Sequence, residues 1–262
     1  MDKLSVIIVT RNEERKIKRC LDTVCWADEI VIVDQSSDDD TVKLSKEYTD
    51  KVYVVDPKGY CEPDRKVAVS HTANEWILYL DADELVSPEL KEEIMRVLSG
   101  QNKNNSYYIP RKNIFLDKWI KGSGWYPGYV LRLFKKSYVN FSDNIHTDAI
   151  PITRSGYFKN PIIHYTCENI DEYLYKMNSY TSILAFQAYK KGVFIGSTNC
   201  IIKLFLVPLS RALHKYLFQA GYKDGFYGFI IACFTFLTVF MMNSKLWEIQ
   251  YSDTFNMKLH TR

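Results

Sequence analysis

The stretch Trp76-Ile77-Leu78-Tyr79-Leu80-Asp81-Ala82-Asp83-Glu84 drives an unbroken apolar segment into a cluster of acids. Trp76 to Leu80 shows no alternation of polar and apolar residues, the pattern of a strand buried on both faces of a parallel sheet. In such sheets ligands sit outside the carboxyl ends of the strands, so Asp81 and Asp83 arrive where a ligand would be. Two carboxylates at alternate positions of a strand share one side and could face one cation or a phosphate-bridging metal. The competing role is capping, because Ser87-Pro88-Glu89 reads as a helix start.

Three other strand ends precede this one. Leu4 to Val9 is an apolar, β-branched run that ends in Thr10-Arg11-Asn12-Glu13-Glu14, and Ile17, Cys20, Leu21 and Val24 then recur at helical spacing. A strand, a polar turn and a helix open a nucleotide-binding βαβ unit. The turn is not Gly-rich, which disfavours a dinucleotide fingerprint or a P-loop. Glu29 to Val33 is a second strand, ending at Asp34-Gln35-Ser36-Ser37-Asp38-Asp39-Asp40-Thr41. An acid just past a second strand can accept hydrogen bonds from a ribose or a base edge. Asp34 is read as that group, and Asp38 to Asp40 as caps of a helix from Thr41 to about Tyr48. Val52 to Val55 is a third strand, and Pro63-Asp64-Arg65-Lys66 opens another helix. Arg65 and Lys66 lie on the loop side, where cations can meet a diphosphate or remain solvated surface. Right-handed crossovers set these strand ends on one rim. Thr10 to Glu13, Asp34, Arg65 and Asp81 to Asp83 are therefore expected in one cleft.

A chain of 262 residues suits one α/β domain with an appendage. The net charge of +3 says less than its distribution, since the basic excess collects near the C-terminus. No nucleic-acid partner is expected. The six cysteines are scattered and form no Cys-x-x-Cys pair, which argues against a zinc site or a disulfide framework and fits a reducing compartment. A strand pattern begins after three residues, so no secretory signal is expected.

Beyond the acids the texture changes. Pro88 to Leu98 reads as an amphipathic helix, and Tyr107 to Pro110 and Val130 to Phe134 read as strands. Between those strands lies the loop Trp119-Ile120-Lys121-Gly122-Ser123-Gly124-Trp125-Tyr126-Pro127-Gly128. Aromatics on a glycine-hinged loop suit stacking on a sugar or a lid, and equally a plug in the core. Asn144-Ile145-His146-Thr147-Asp148 sets an imidazole two residues before a carboxylate. His146 could be a third metal ligand and Asp148 a general base.

Taken together, residues 1 to about 250 resemble glycosyltransferase family 2, nearest to bacterial lipopolysaccharide core-type β-glucosyltransferases. The matching stretches are Ser5 to Glu14, Trp26 to Asp34, Asp81-Ala82-Asp83-Glu84, and Trp125-Tyr126-Pro127 with Leu131-Arg132-Leu133-Phe134. His164-Tyr165, Asp224-Gly225-Phe226 and Lys245-Leu246-Trp247-Glu248 match as well. The resemblance implies a GT-A fold: α/β, Rossmann-like, with a mixed, mostly parallel sheet and helices on both faces. It implies a nucleotide-sugar-binding catalytic domain over 1–168, a helical membrane-associating region over 169–250 and a tail over 251–262. Thr10, Arg11, Asn12 and Glu13 would line the nucleoside pocket with Asp34 and Ser36, and Arg65 would approach the diphosphate. Asp81 would contact ribose or metal, with Ala82 in the same turn. Asp83 would ligate Mg²⁺ or Mn²⁺, Trp125 would serve the donor site, and Arg132 would face the diphosphate or acceptor. The chain departs from the family pattern in three places. Gln35-Ser36-Ser37-Asp38-Asp39 stands for Ser-Gly-Ser-Thr-Asp, Asp64-Arg65-Lys66 for Gln-Arg-Asn, and His146-Thr147-Asp148 for a His-Glu pair.

The implied reaction is inverting transfer of a sugar, glucose by family weight, from a uridine diphosphate donor to a saccharide or lipid-linked acceptor in cell-envelope glycan synthesis. Two alternatives are another nucleotide-dependent transferase and an inactive, membrane-docked scaffold. Asp171 to Lys191 reads as a helix, and Gly225 to Met242 is uncharged and strongly apolar, about the minimum for a span. That segment could lie at an interface, cross a bilayer, or pack in a core or a homodimer. Nearby cations favour an anionic leaflet. The expected location is the cytoplasmic face of a bacterial inner membrane, peripheral or shallowly inserted.

Overall fold

The computed structural model describes residues 1–57, 62–101, 104–140, 149–196 and 198–260. They form two compact units. The first holds Met1–Lys112 and Pro127–Tyr165; the second holds Asn113–Tyr126 and Thr166–Arg262. Residues 113–126, read from sequence with the first domain, therefore cluster with the second.

The first unit is built on the expected apolar runs. They form β1 (Leu4–Thr10), β2 (Glu29–Asp34), β3 (Val52–Val54) and β4 (Trp76–Asp81), followed by β5 (Glu84–Val86) and β6 (Ser106–Phe115). The short β7 (Lys118–Trp119) precedes β8 (Gly128–Lys135). β9 (Val139–Asn140), β10 (Ile150–Pro151) and β11 (Gly156–Tyr157) are two residues each, and β12 (Ile162–Cys167) closes the series. The main sheet runs β3-β2-β1-β4-β8-β6-β12-β5, with β7 and β11 attached to β6. β1 pairs in parallel with both β2 and β4, whereas β8 meets β4 and β6 antiparallel. The sheet is thus parallel on one side of β4 and largely antiparallel on the other.

Every residue of β1 is buried, because helices cover both faces. Leu4, Val6 and Ile8 pack with α1 (Ile17–Asp22) and α4 (Pro88–Leu98), while Ile7 and Val9 face Ala68 of α3 (Glu62–Ser70). The helix start read at Ser87 is borne out. The Ser87 hydroxyl accepts from the Leu90 amide at 3.2 Å, with Pro88 in the first turn. Capping is therefore done by Ser87, and neither Asp81 nor Asp83 is needed for it.

The second unit is helical. α5 (Ile170–Lys190) is capped by Asn169, whose side chain accepts from the Glu172 amide at 2.8 Å. A helical run over 200–218 contains α6 (Val207–Leu213) between two π-turns, Ile202–Leu206 and His214–Phe218. The last helix, α7 (Phe226–His260), extends well past the expected end at Met242 and takes in most of the expected tail. Its Phe226–Ser252 portion contains an 18-residue window of mean hydropathy 1.8, 28% of it buried, and is long and apolar enough to cross a membrane by length and composition.

The Trp- and Gly-rich loop is fastened inside this unit by Asp224. Its buried carboxylate accepts from the Lys121 and Gly122 amides at 3.1 and 2.6 Å. Close approach explains the glycines. A Cβ on Gly122 would stand 2.4 Å from the Ala220 carbonyl oxygen, and one on Gly228 would stand 1.8 Å from that of Gly221. Gly228→Ala is therefore expected to cost about 1–3 kcal/mol by overpacking alone. Gly192→Ala meets nothing within 4 Å at φ +72° and pays only for its backbone. Thermal unfolding of the two variants checks this: Gly228→Ala should melt lower.

Candidate active site

β1 leads to β2 on one side, and β4 returns on the other, so the strand order reverses between β1 and β4. A crevice opens at the carboxyl ends of strands flanking such a reversal. Thr10 ends β1 and Asp81 ends β4.

The loops after β1 and β2 are laced together. The Asn12 amide donates to Ser37 Oγ at 2.8 Å and its side-chain oxygen accepts from the Asp38 amide at 2.9 Å. The Glu13 amide donates to Thr41 Oγ1 at 2.8 Å, and the Glu14 amide to Asp39 at 3.1 Å. Asn12 and Ser36 hold left-handed backbones, φ 55° and 53°. Such conformations persist only where neighbours over-determine them, and here the lacing does so. Asp39 also accepts from the Thr41 amide at 3.0 Å, whereas Asp40, the N-cap residue, makes no side-chain cap bond, and the helix ends at Ser45 and not near Tyr48.

Asp34 is fully buried, and both its oxygens serve Ser37, from the amide at 2.7 Å and the hydroxyl at 2.6 Å. Its carboxylate shapes the Ser36–Ser37 turn. Two of the departures from the family pattern meet: Gln35 Nε2 donates to Asp64 Oδ2 at 2.6 Å, both side chains buried.

At the end of β4 the acids diverge. Strand geometry stops at Asp81, and a turn at Ala82 and Asp83 intervenes before β5. Asp81 therefore turns to protein donors. Its Oδ1 accepts from the Tyr79 hydroxyl, and its Oδ2 pairs with Arg132 and, at 3.0 Å, with Arg111. Both guanidinium groups also reach Glu84 Oε1, at 2.9 Å from Arg132 and 2.8 Å from Arg111 Nε. Glu84 Oε2 accepts from the Asp81 amide at 3.0 Å, which closes the turn. Tyr79 gathers cations: Arg65 lies 4.4 Å and Arg132 4.2 Å from its ring centroid. Burial alone would raise the Asp81 carboxyl, but Arg132, then Arg111 and Arg65, hold it well below the usual carboxylate range. Beneath the turn, burial and then Glu84, Asp83 and Asp81 push the Cys20 thiol up, which keeps it protonated and inert.

Asp83 points elsewhere. Its Oδ1 stands 3.5 Å from Nε2 of His164 on β12, and its carbonyl oxygen accepts from the Tyr165 amide at 3.0 Å. A carboxylate oxygen and an imidazole nitrogen at that spacing suit two ligands of one Mg²⁺ or Mn²⁺. Among the described residues no three His, Cys, Asp or Glu side chains form a complete metal cage. His164 carries no role in the sequence reading, which gives the imidazole's part to His146. His146 and Asp148 lie outside the described residues. Trp125 belongs to the second unit, where its ring meets Phe115 edge-on at 5.9 Å; of the two readings of the loop, this packing favours the core plug.

Comparison with known proteins is consistent with this geometry. Residues 5–163 match the family model described as Glycosyl transferase family 2. An uncharacterised glycosyltransferase of Rickettsia typhi is 28% identical, over 95% of this chain and 88% of that protein. The lipopolysaccharide core biosynthesis glycosyltransferase LpsC of Rhizobium meliloti is 25% identical, over 94% of this chain and 92% of that protein. Among solved structures, the mannosyltransferase PcManGT of Pyrobaculum calidifontis, in complex with GDP-Man and Mn²⁺, superposes with a TM-score of 0.51 at 14% identity. The match covers 94% of this chain and 87% of that one, a likeness of fold.

The arginine–carboxylate quartet makes a definite prediction. Glu84→Gln leaves the buried Arg132 and the half-buried Arg111 with one carboxylate and is expected to cost about 3–5 kcal/mol, as for a broken buried pair. The pH dependence follows from Asp81. Its folded pKa is depressed, so its contribution is complete above the unfolded value of about 4 and is lost as pH falls through the folded one. Urea midpoints at pH 7, 5 and 3 check both: this contribution should hold from pH 7 to 5 and weaken at pH 3.

Proposed function

The chain belongs to glycosyl transferase family 2, and from that premise we propose that it is a metal-dependent, inverting hexosyltransferase. It moves a sugar, with glucose on uridine diphosphate as the favoured donor, to a saccharide or lipid-linked acceptor in cell-envelope glycan synthesis. The observation that carries the reading is the rim at Asp81–Asp83. There an acid–imidazole pair, Asp83 with His164, shares a turn with the carboxylate that holds Arg111 and Arg132. LpsC, named for lipopolysaccharide core synthesis, supports the acceptor class, and the Mn²⁺ and nucleotide sugar of PcManGT support the cofactor and donor class.

The roles follow from chemistry. Thr10, Arg11, Asn12, Glu13 and Ser36 form the nucleoside pocket, with Asp34 setting its turn. The Thr10 hydroxyl is buried and has no hydrogen-bond partner among the described residues, which leaves it for a ligand. Asp83 and His164 would hold Mg²⁺ or Mn²⁺, which when bound neutralises charge on the diphosphate. Arg65 and Arg132 add fixed positive charge where the leaving group becomes more negative. As the acceptor oxygen bonds to the anomeric carbon, the bond to the diphosphate oxygen breaks with its electron pair. The acceptor proton passes to Asp148, the base assigned on chemistry, a transfer worth roughly 10²–10⁴-fold. Attack opposite the leaving group inverts the anomeric centre, by the logic of inverting glycosidases. The apolar Phe226–Ser252 segment supports membrane association, and the proposed seat is peripheral, at the cytoplasmic face of the inner membrane.

Incubation of the full chain with a panel of nucleotide sugars and Mn²⁺ tests this reading. Nucleoside diphosphate should be released, fastest from uridine diphosphate glucose. Asp83→Ala and His164→Ala should each cost at least about 10²-fold, on the scale of losing one preorganised charge-stabilising group. Release of pyrophosphate instead, or turnover indifferent to both variants, would sink it.

A further inference from the structure

Within the second unit, the helical run over 200–218 buries little besides Pro208 and Ala212 and leaves most of its large apolar residues at the surface. Ile202, Phe205, Leu206, Leu209, Leu213 and Leu217 are exposed, at 38% to 54% of their surface. The other side of the same run, Lys203, Val207, Arg211, His214 and Lys215, lines a cavity of about 700 Å³. The opposite wall comes from one stripe of α7, including Ile231, Thr235, Val239 and Met242. A helix in water turns its apolar stripe inward; this one leaves that stripe outside and sets half-buried Lys203 and Lys215 with exposed Arg211 and His214 along the cavity. The two π-turns fall where the cations enter, at Lys203 and at His214–Lys215. Such turns are rare and recur at functional sites.

The charge inside the cavity is unbalanced. No acidic residue lines it among the described residues. The Lys203 ammonium donates to the Phe194 carbonyl oxygen at 2.9 Å and that of Lys215 to the Ser123 carbonyl oxygen at 3.1 Å, so both are oriented by neutral acceptors. Arg211 has no carboxylate partner among the described residues. Burial pushes the Lys215 ammonium down, the mark of a cation short of a counter-charge. Like charges gathered beside apolar walls repel one another more than they would in bulk water. A phosphate would relieve that, and Arg211 offers the planar fork that phosphate accepts. The volume lies in the range of small-ligand sites.

We propose that this cavity binds the phosphate head of an anionic membrane lipid, whose chains lie along the exposed apolar stripe of residues 202–217. The helix then makes sense as one element with two media: its exposed leucines meet acyl chains and its cations meet the headgroup. The site needs nothing from the transfer reaction and stands apart from the proposed activity.

Titration of the purified full chain with dihexanoyl phosphatidic acid, read by calorimetry, tests the site. Saturable one-to-one binding is expected. Arg211→Gln should weaken it at least about tenfold, the effect of losing one charge-assisted pair. Lys223→Gln removes the same charge from an exposed residue of this unit outside the cavity lining, and should leave binding unchanged. Val239→Trp fills the cavity with its charges intact and should abolish binding. Dihexanoyl phosphatidylcholine and inorganic phosphate serve as comparators. Equal affinity for phosphatidylcholine would overturn the proposal, as would equal affinity for inorganic phosphate, which makes the cavity a plain anion hole. Equal weakening by Lys223→Gln, or none by Arg211→Gln, would reduce the effect to surface charge and overturn it too.

Discussion

Two arginines and two carboxylates at the end of β4 hold the first unit's rim in shape. Arg132 is 1% exposed and Glu84 is fully buried, so both ions have surrendered their hydration. That surrender costs several kcal/mol per ion and is recovered only through good geometry and further hydrogen bonds. The quartet meets the condition by sharing. Glu84 takes both guanidinium groups on one oxygen and the Asp81 amide on the other. The hydrogen bond from the Asp81 amide closes the turn from which Asp83 reaches His164. Without Glu84 the turn would lose its clasp, and the arginines would lose their anchor in the same stroke.

The same economy governs the loops after β1 and β2. Neither has a glycine where Asn12 and Ser36 sit in left-handed backbone, so the strain must be met by other means. Ser37 meets it twice, through its hydroxyl to the Asn12 amide and through its donors to Asp34. Asp34 therefore acts on the pocket through Ser36 and Ser37. The contact between Gln35 and Asp64 adds a second brace. Two side chains that each depart from the family pattern are, in this chain, one hydrogen bond.

The parallel half of the fold was legible because β1, β2 and β4 are continuous apolar runs ending in polar residues, and Ser87-Pro88 announces its helix. The antiparallel half was harder. Tyr107 to Pro110 was read as a short strand, yet β6 runs to Phe115 and carries Arg111 into the quartet. Glu84 passed for one more acid of the cluster, since nothing local tells that its partners stand 27 and 48 residues away. His164 lies in Pro161-Ile162-Ile163-His164, an imidazole inside a strand pattern after a proline, and that is the signal that could have marked it. The period-two rule was applied one residue too far at Asp83. It holds only while the strand continues, and β4 stops at Asp81. Arg65 lies over the ring of Tyr79, a residue that reads from sequence as mere core.

The glycines of the Trp-rich loop carry the last correction. In sequence they suggest a hinge, since glycine frees the backbone. In the second unit they act through their missing Cβ. Gly122 sits against the Ala220 carbonyl, Gly124 against the Gln219 amide, and Gly221 against Ser123 Oγ and the Lys215 carbonyl. The contacts run both ways, because the Ser123 amide donates to the Gln219 carbonyl at 2.7 Å. Asp224 then fixes the loop's own amides. A loop held by so many backbone contacts cannot swing while its anchor stays still. For it to move, the turn over residues 219–225 and the first turn of α7 would have to move with it. Asp224 is thus a fastening for the backbone of this loop, and Trp125 packs against Phe115 within the helical unit.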